Sequence, residues 1–336
     1  MRKVLVAALG SALVAGVVVW VVMAASPVAS RSGAGEPLPP PGQPSAEQQR
    51  AARETAEDRE RAERLTALVE KLRPLAVKLG KPGPSDWLAN HPEAGQNFKE
   101  YLDSGPVRPT VSRGTIYIQP LGDFSATQRK MVTITSEAMA VWFNVPTKFR
   151  EDLKADVVPE AARRKNPYTG WEQFLTGHIL DRVLKPNLPR DAAASICFTA
   201  TDLWPGKGWN FVFGQASLEE RVGVWSLYRF GDPDKSEESY RLALLRTLKL
   251  ATHESGHMFS LPHCTAYECN MNGCNTQDES DRHPLALCPE CMAKTCWATR
   301  AEPAERYRKL IELCRREGLK PEAAAYEKLL GAIEGK

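Results

Sequence analysis

The chain has 336 residues, enough for one or two domains. Hydrophobic residues make up 43% and charged residues 25%, an ordinary globular composition. The 44 basic residues against 41 acidic ones leave a formal charge of +3 with no basic stripe, which excludes nucleic acid as the expected partner.

The N-terminus departs from that average. Arg2 and Lys3 precede residues 4–25, VLVAALGSALVAGVVVWVVMAA, an uncharged run long enough to cross a bilayer as a helix. Two readings stand: an uncleaved membrane anchor, which the length fits better, and a signal peptide cleaved after VAS at 28–30. Positive charge lies ahead of the span and only Arg31 lies close behind it. The positive-inside rule then keeps the N-terminus in the cytoplasm and sends the rest outside, either membrane-anchored or secreted. Residues 26–46, centred on GEPLPPPGQP, read as an extended linker.

Residues 47–72 read as a charged helical stalk. Glu57 with Arg61 and Glu60 with Arg64 have the favourable i,i+4 spacing. An apolar stripe, Leu65, Leu68, Val69 and Leu72, appears only in the last turns, so the stalk is expected to dock by that end. The main domain is assigned to residues 73–300. The stretch 86–102 reads as one or two helices opened by Ser85. TIYIQPL (115–121) is a strand, Ser125 caps a helix running to Phe143, and VPTKF (145–149) is a short strand. Phe174, Leu175, Ile179 and Val183 give residues 171–184 helical spacing. Residues 195–204, 209–217 and 222–230 are three strand-like runs. Pro205, Gly206 and Gly208 between the first two suggest antiparallel pairing. A long helix follows from Ser236 to Phe259. The order β-α-β-α-β-β-β-α implies an α/β layered domain with a mixed sheet. Residues 301–336 read as a helical hairpin, with stripes Tyr307, Leu310, Ile311, Cys314 and Tyr326, Leu329, Leu330, Ile333; Gly318 ends the first helix and Pro321 starts the second.

The chemistry concentrates in HESGHMFSLPHC, residues 253–264. On a helix His253 and His257 share one face, where two imidazoles can hold one zinc with Glu254 beside the water it activates. Catalytic zinc needs a third protein ligand and an open position, and His263 is the candidate. The chain must leave the helix sharply after Phe259 to bring it back, and Pro262 suits a broken helix.

Read together, HExxHxxSxxHC-x4-C-x-M, then sixteen residues, then CxxC, resembles the archaemetzincins, a metzincin branch of zinc peptidases. IYIQPLGDF, TDLWPGKGWNFVFGQASLEERVGVWSLYRF and MNGCNTQDESDRHPLALCPEC are similar to that family too. The resemblance covers roughly residues 85–300. It implies a zincin/metzincin-like fold with a mixed twisted sheet and an active-site helix. It implies two Zn2+ ions: a catalytic one on His253, His257 and His263, and a structural one on Cys264, Cys269, Cys288 and Cys291. Glu254 would be the general base and Met271 the Met-turn residue. Peptides or proteins are the implied substrates, paired along a cleft-edge strand at 210–217.

The chain departs from the family at Ser260, where the usual residue is glycine, and in the gap from Met271 to Cys288, one residue shorter than usual. Four cysteines outside the cytoplasm could also form two disulfides, although CxxC and Cx4C spacing suits zinc. The functional expectation is a zinc metallopeptidase. Its alternative is a catalytically inactive, zinc-stabilised binding domain tethered to the membrane. His91, His178 and His283 stand alone in sequence, Cys197 reads as core, and Asp202 in DLWP has no evident chemical role.

Overall fold

The structure is a computed structural model that describes the backbone of residues 46–336 and side chains from residue 55 onward. The apolar span at 1–25 and nearly all of the linker at 26–46 lie outside the described residues. Among the described residues, no helix is long and apolar enough to cross a membrane.

In chain order the elements are α1 (Ala46–Leu72), α2 (Trp87–Asn90), α3 (Phe98–Asp103), β1 (Thr115–Leu121), α4 (Ala126–Phe143), β2 (Thr147–Phe149), β3 (Arg163–Lys165) and β4 (Glu172–Leu175). Then come α5 (Thr176–His178, running on as a π-helix over Ile179–Leu184), β5 (Ala192–Thr199), β6 (Asp202–Trp204), β7 (Gly214–Ser217), β8 (Val222–Ser226) and α6 (Glu237–Met258). The chain closes with α7 (Gln277–Arg282), α8 (Pro289–Thr299), α9 (Pro303–Arg316) and α10 (Lys320–Glu334).

The main sheet has the order β2-β1-β5-β8-β7. Its first four strands are parallel and β7 runs antiparallel at one edge. Both faces are covered, so the central strands are apolar on both sides; all of β5 is buried. Ile116, Ile118, Ile196, Phe198 and Trp225 face one core with α4 and α6. Leu121, Cys197, Val222 and Val224 face the other, with Ile179, Leu180 and Leu184. A small second sheet, β3-β4-β6, carries the latter side.

Four expectations change. Residues 171–184 are helical only from Thr176, because Gln173, Phe174 and Leu175 pair with Asp202, Leu203 and Trp204 as a strand. The run 195–204 breaks into β5 and β6, in different sheets, as the Thr199 hydroxyl accepts the Thr201 N–H and Thr201 O takes the Ser226 hydroxyl. The antiparallel contact expected between 195–204 and 209–217 is one isolated bridge, Leu203 with Val212; β7 pairs with β8 instead. At residues 86–102 there are two helices, and the residue ahead of the first is Asp86 rather than Ser85, its carboxylate turned back to accept the Gly83 N–H.

Leu65, Val69 and Leu72 of α1 sit in the main core. Docking extends further up the helix than the stripe suggests. Asp58 pairs with Arg300 and Arg108, Arg61 pairs with Glu302, and Asp58 O accepts the Trp297 indole N–H at 3.2 Å. The α9–α10 hairpin buries Tyr307, Leu310, Ile311, Cys314 and Tyr326. Its Glu317 accepts the Tyr240 hydroxyl of α6 at 3.2 Å and so steadies the helix that bears the histidines.

Candidate active site and second metal centre

Helix α6 starts at a capped end. The Ser236 hydroxyl accepts the Ser239 N–H, and Glu237 and Glu238 occupy the first turn, where the helix dipole favours acids. It stops because Ser260 takes a left-handed conformation, φ 63°. The Ser260 N–H donates to His257 O and the Leu261 N–H to Gly256 O, the bond pair of a Schellman ending. A Cβ in that conformation costs about 1–2 kcal/mol. The Ser260 hydroxyl accepts the Val107 N–H at 3.0 Å, which offsets part of this. The turn therefore forms with serine, and the chain swings back through Pro262 to His263.

The three histidines then converge. His253 Nδ1 donates to Asn270 O at 2.7 Å and His257 Nδ1 to Leu261 O at 2.5 Å. A carbonyl only accepts, so both rings carry their proton on Nδ1 and turn an Nε2 lone pair inward. Those two Nε2 atoms stand 3.0 Å apart. His263 completes the group, with the candidate ligand atoms all within 4.8 Å of one another. Facing lone pairs at this separation repel unless a cation lies between them. Zn–N bonds of about 2.0–2.1 Å in a tetrahedron place nitrogens about 3.3 Å apart, so the residues fit zinc. Burial, then the neighbouring His263, pushes His253 down to about 3. Burial, then His253 and His263, pushes His257 well below the ordinary imidazole range. Both rings stay in the neutral form that a metal takes.

Glu254 is 3% exposed, and its Oε1 is buried without a hydrogen-bond partner. Burial raises its carboxyl to about 8. It lines a cavity with His253, His263, Trp87, Phe213 and Asn270. Met271 lies under the helix: a Cβ on Gly256 would meet its Sδ at 2.8 Å, which is why HESGH carries glycine at this position.

The second centre holds Cys264, Cys269, Cys288 and Cys291, all buried and with sulfurs within 4.8 Å of one another. Cys264 Sγ and Cys288 Sγ are 3.7 Å apart, far beyond a disulfide bond. Backbone N–H groups of Met271 and Cys288 point at Cys269 Sγ at 3.4 and 3.2 Å, and that of Cys291 points at Cys288 Sγ at 3.5 Å. Hydrogen bonds from Cys269, Cys288 and Cys291 push Cys264 far down, while burial pushes Cys269 up. Four sulfurs with inward N–H donors and no opening suit a closed tetrahedral metal site.

Between Leu261 and Asn272 one loop serves both centres. The Cys264 N–H donates to Met271 O at 2.7 Å, the Cys269 N–H to Asn272 Oδ1 at 2.7 Å, and Asn272 Nδ2 to Cys264 O at 2.6 Å.

Sequence reasoning missed Glu93, whose two oxygens both lie 2.9 Å from His263 Nδ1, and Trp87, whose ring lies edge-on to His263 at 5.1 Å. Glu93 follows Pro92 in a turn between two short helices, at no spacing that links it to a histidine so far along the chain. His91 packs on the Trp87 ring, and His178 sits beside Val157 O. His283 pairs with Glu268 and lines the cavity. Cys197, Cys296 and Cys314 are buried, and Cys274 lines the cavity. Asp202 gains a role in structure. Fully buried, it takes Arg229 at 2.8 and 2.7 Å and Gln173 Nε2 at 2.8 Å. Gln173 also holds Asn210 O, and the Arg229 guanidinium lies over Phe211, so the cluster fixes the segment leading into β7.

Residues 193–296 match the family described as Peptidase family M54. Archaemetzincin-2 of Mus musculus is 34% identical over 277 residues, spanning 72% of this chain and 77% of that protein. Archaemetzincin-2 of Homo sapiens is 35% identical over 260 residues, 68% of this chain and 71% of that protein. Human Archaemetzincin-1 is 28% identical over 256 residues, spanning 51% of its own length. A crystal structure of archaemetzincin from Methanopyrus kandleri aligns over 58% of this chain and all of its own, with 26% identity and a TM-score of 0.45. The histidine cluster, the family match and the likeness to archaemetzincin-2 define a zinc metallopeptidase, a hydrolase. Within that class, the chain belongs to the archaemetzincin family.

Proposed function

We propose that this chain hydrolyses peptide bonds with one zinc on His253, His257 and His263, a second, structural zinc on the four cysteines, and Glu254 as general base. The carrying observation is the buried, unpartnered Oε1 of Glu254 beside three imidazoles whose inward nitrogens converge. Zinc, when bound, supplies Lewis-acid polarisation of a carbonyl and lowers the pKa of a water. The rest falls to the chain's own groups. Glu254 Oε1 takes the proton of the attacking water, holds it in a site shielded from solvent, and returns it to the departing amine. The Nδ1–H bonds to Asn270 O and Leu261 O keep the imidazoles aimed while this happens. β7, at the sheet edge, supports a substrate bound in extended form by backbone pairing.

The test uses the full-length chain in detergent, loaded with zinc and incubated with a diverse peptide mixture read by mass spectrometry. Wild type should cut, and Glu254→Ala should cut at least about 100-fold more slowly while keeping its zinc. Equal cutting by both removes Glu254 from the mechanism. No cutting by either, with zinc bound and the fold intact, favours a binding domain, against which the intact Glu254 now speaks.

For the N-terminus we propose a single-span anchor at residues 4–25 with the peptidase domain outside the cytoplasm. The uncharged run and the basic residues ahead of it support this. Protease accessibility of the domain in intact cells, together with its retention in membranes, tests it; a soluble, protected chain overturns it.

A further inference from the structure

We infer that Glu93 is the positioning residue that makes His263 a metal ligand. This rests on reading the three histidines as the zinc site. His253 and His257 are each oriented by a backbone carbonyl, of Asn270 and Leu261. His263 instead meets a carboxylate, with both Glu93 oxygens at 2.9 Å from Nδ1. A carboxylate there fixes the Nδ1–H tautomer and points Nε2 at the other two rings. It also raises the electron density on Nε2 more than a carbonyl does and offsets part of the metal's charge.

Glu93 is itself held in place. Trp87 Nε1 donates to its Oε1 at 2.8 Å, and the Trp87 backbone N–H donates to Glu279 Oε1 at 2.9 Å. The Trp87 ring lies against Gly273, where an added Cβ would meet it at 2.4 Å. On the other side of Glu93, Gly95 takes φ 74° and abuts Thr265, where a Cβ would meet Oγ1 at 2.1 Å. Lys294 Nζ donates to Gln96 O at 2.5 Å and the Phe98 N–H to Glu290 Oε2 at 2.8 Å. The turn bearing Glu93 is thus pinned to the segments that carry His263 and the cysteines. It lies upstream of residues 193–296, which match the peptidase family, so the site is completed from outside the matched segment.

A purely structural Glu93 would hold the 87–98 segment down without affecting the metal. Chelator competition on the full-length chain separates the two roles, with His253→Ala as the reference for a chain that keeps only the cysteine-bound zinc. Glu93→Ala should lose zinc from the histidine site about 10- to 100-fold more readily than wild type and keep the cysteine-bound zinc. Glu93→Gln, which can still accept through one oxygen without charge, should fall between. With zinc saturating, kcat should drop in both variants with KM near wild type. Unchanged zinc affinity in E93Q and E93A overturns the inference, whatever their melting temperatures; if E93A does not fold, the isosteric E93Q decides. A wild type that binds both zincs but cuts nothing sinks the peptidase reading and leaves this comparison intact. A wild type whose histidines take no zinc overturns both.

Discussion

Two substitutions at Ser260 separate the forces that meet at the end of α6. Glycine removes the left-handed penalty of about 1–2 kcal/mol. It also removes the hydroxyl that accepts the Val107 N–H, a bond of about 0.5–1.5 kcal/mol. Val107 is 55% exposed, so water can replace that acceptor and the loss sits at the lower end. Glycine further loosens the unfolded chain, by about 0.4–1 kcal/mol. These terms nearly cancel, so Ser260→Gly should stay within about 1 kcal/mol of wild type. Ser260→Ala keeps the Cβ and its strain but loses the hydrogen bond. It should fall about 0.5–1 kcal/mol below wild type and lie below the glycine variant too. Urea denaturation of the zinc-loaded chain at fixed free zinc measures both differences. Zinc affinity should not move in either variant, because the Schellman bonds from Ser260 and Leu261 are backbone bonds. An alanine variant as stable as the glycine one would show that Ser260 is not the strained link. So would a glycine variant weaker than wild type by more than about 2 kcal/mol.

A chain starting at residue 73 loses Leu65, Val69 and Leu72, all at most 3% exposed. At about 1.5–3 kcal/mol each, this removes much of a domain's net stability of about 5–15 kcal/mol. That chain should lack cooperative melting by near-ultraviolet circular dichroism, whereas one starting at residue 46 should keep it; equal melting refutes the packing argument. In metal-free protein, burial holds Glu254 protonated up to about 8, and a cation beside it favours the carboxylate. Zinc uptake at pH 7 should therefore release about one proton more from wild type than from Glu254→Gln, a difference that fades as pH rises above about 8. Calorimetry in buffers of different ionisation enthalpy reads this, and equal release at pH 7 would mean that Glu254 does not change its protonation state when zinc binds. Cys264→Ser should weaken zinc at the histidines as well as at the cysteines, by about 10-fold or more, as outer-shell losses do. Unchanged histidine-site affinity by chelator competition would show the two centres to be independent.

Sequence pattern reads best where one element carries its own boundary signals. Ser125 and Gln128 cap each other's backbone N–H groups at the start of α4, and Asn144 ends it in the left-handed region, so its limits are visible locally. The histidines and cysteines are legible because metal geometry forces a spacing within a short stretch. WEQFL at 171–175 misleads because Phe174 and Leu175 repeat helically with Ile179. Their partners, Leu203 and Trp204, lie far along the chain, and strand preference depends on such neighbours. Asp202 is silent for the same reason: its meaning comes from Arg229 and Gln173, which only the fold assembles. Glu93 is the sharpest case, a partner of His263 that approaches through space with no periodic or motif constraint.

The loop from Leu261 to Asn272 explains why the two centres are built next to each other. It supplies the carbonyl that holds His257, the third histidine, two of the four sulfurs and the carbonyl that holds His253. Irregular backbone of this kind is ordinarily the most mobile part of a domain. Catalytic groups, however, tolerate only about 0.5 Å of misplacement. Cys264 and Cys269 bring the loop at two points against Cys288 and Cys291, which open α8, and a metal held by the four sulfurs would fasten it there. That helix is braced in turn by α1, through Asp58 with Arg300 and Trp297. Glu93 closes the frame from the opposite side by gripping His263. The rigidity that the chemistry requires therefore comes from outside the zinc-protease motif: from a cysteine cluster that starts one residue beyond the last histidine, a helix well upstream and a single carboxylate between two short helices.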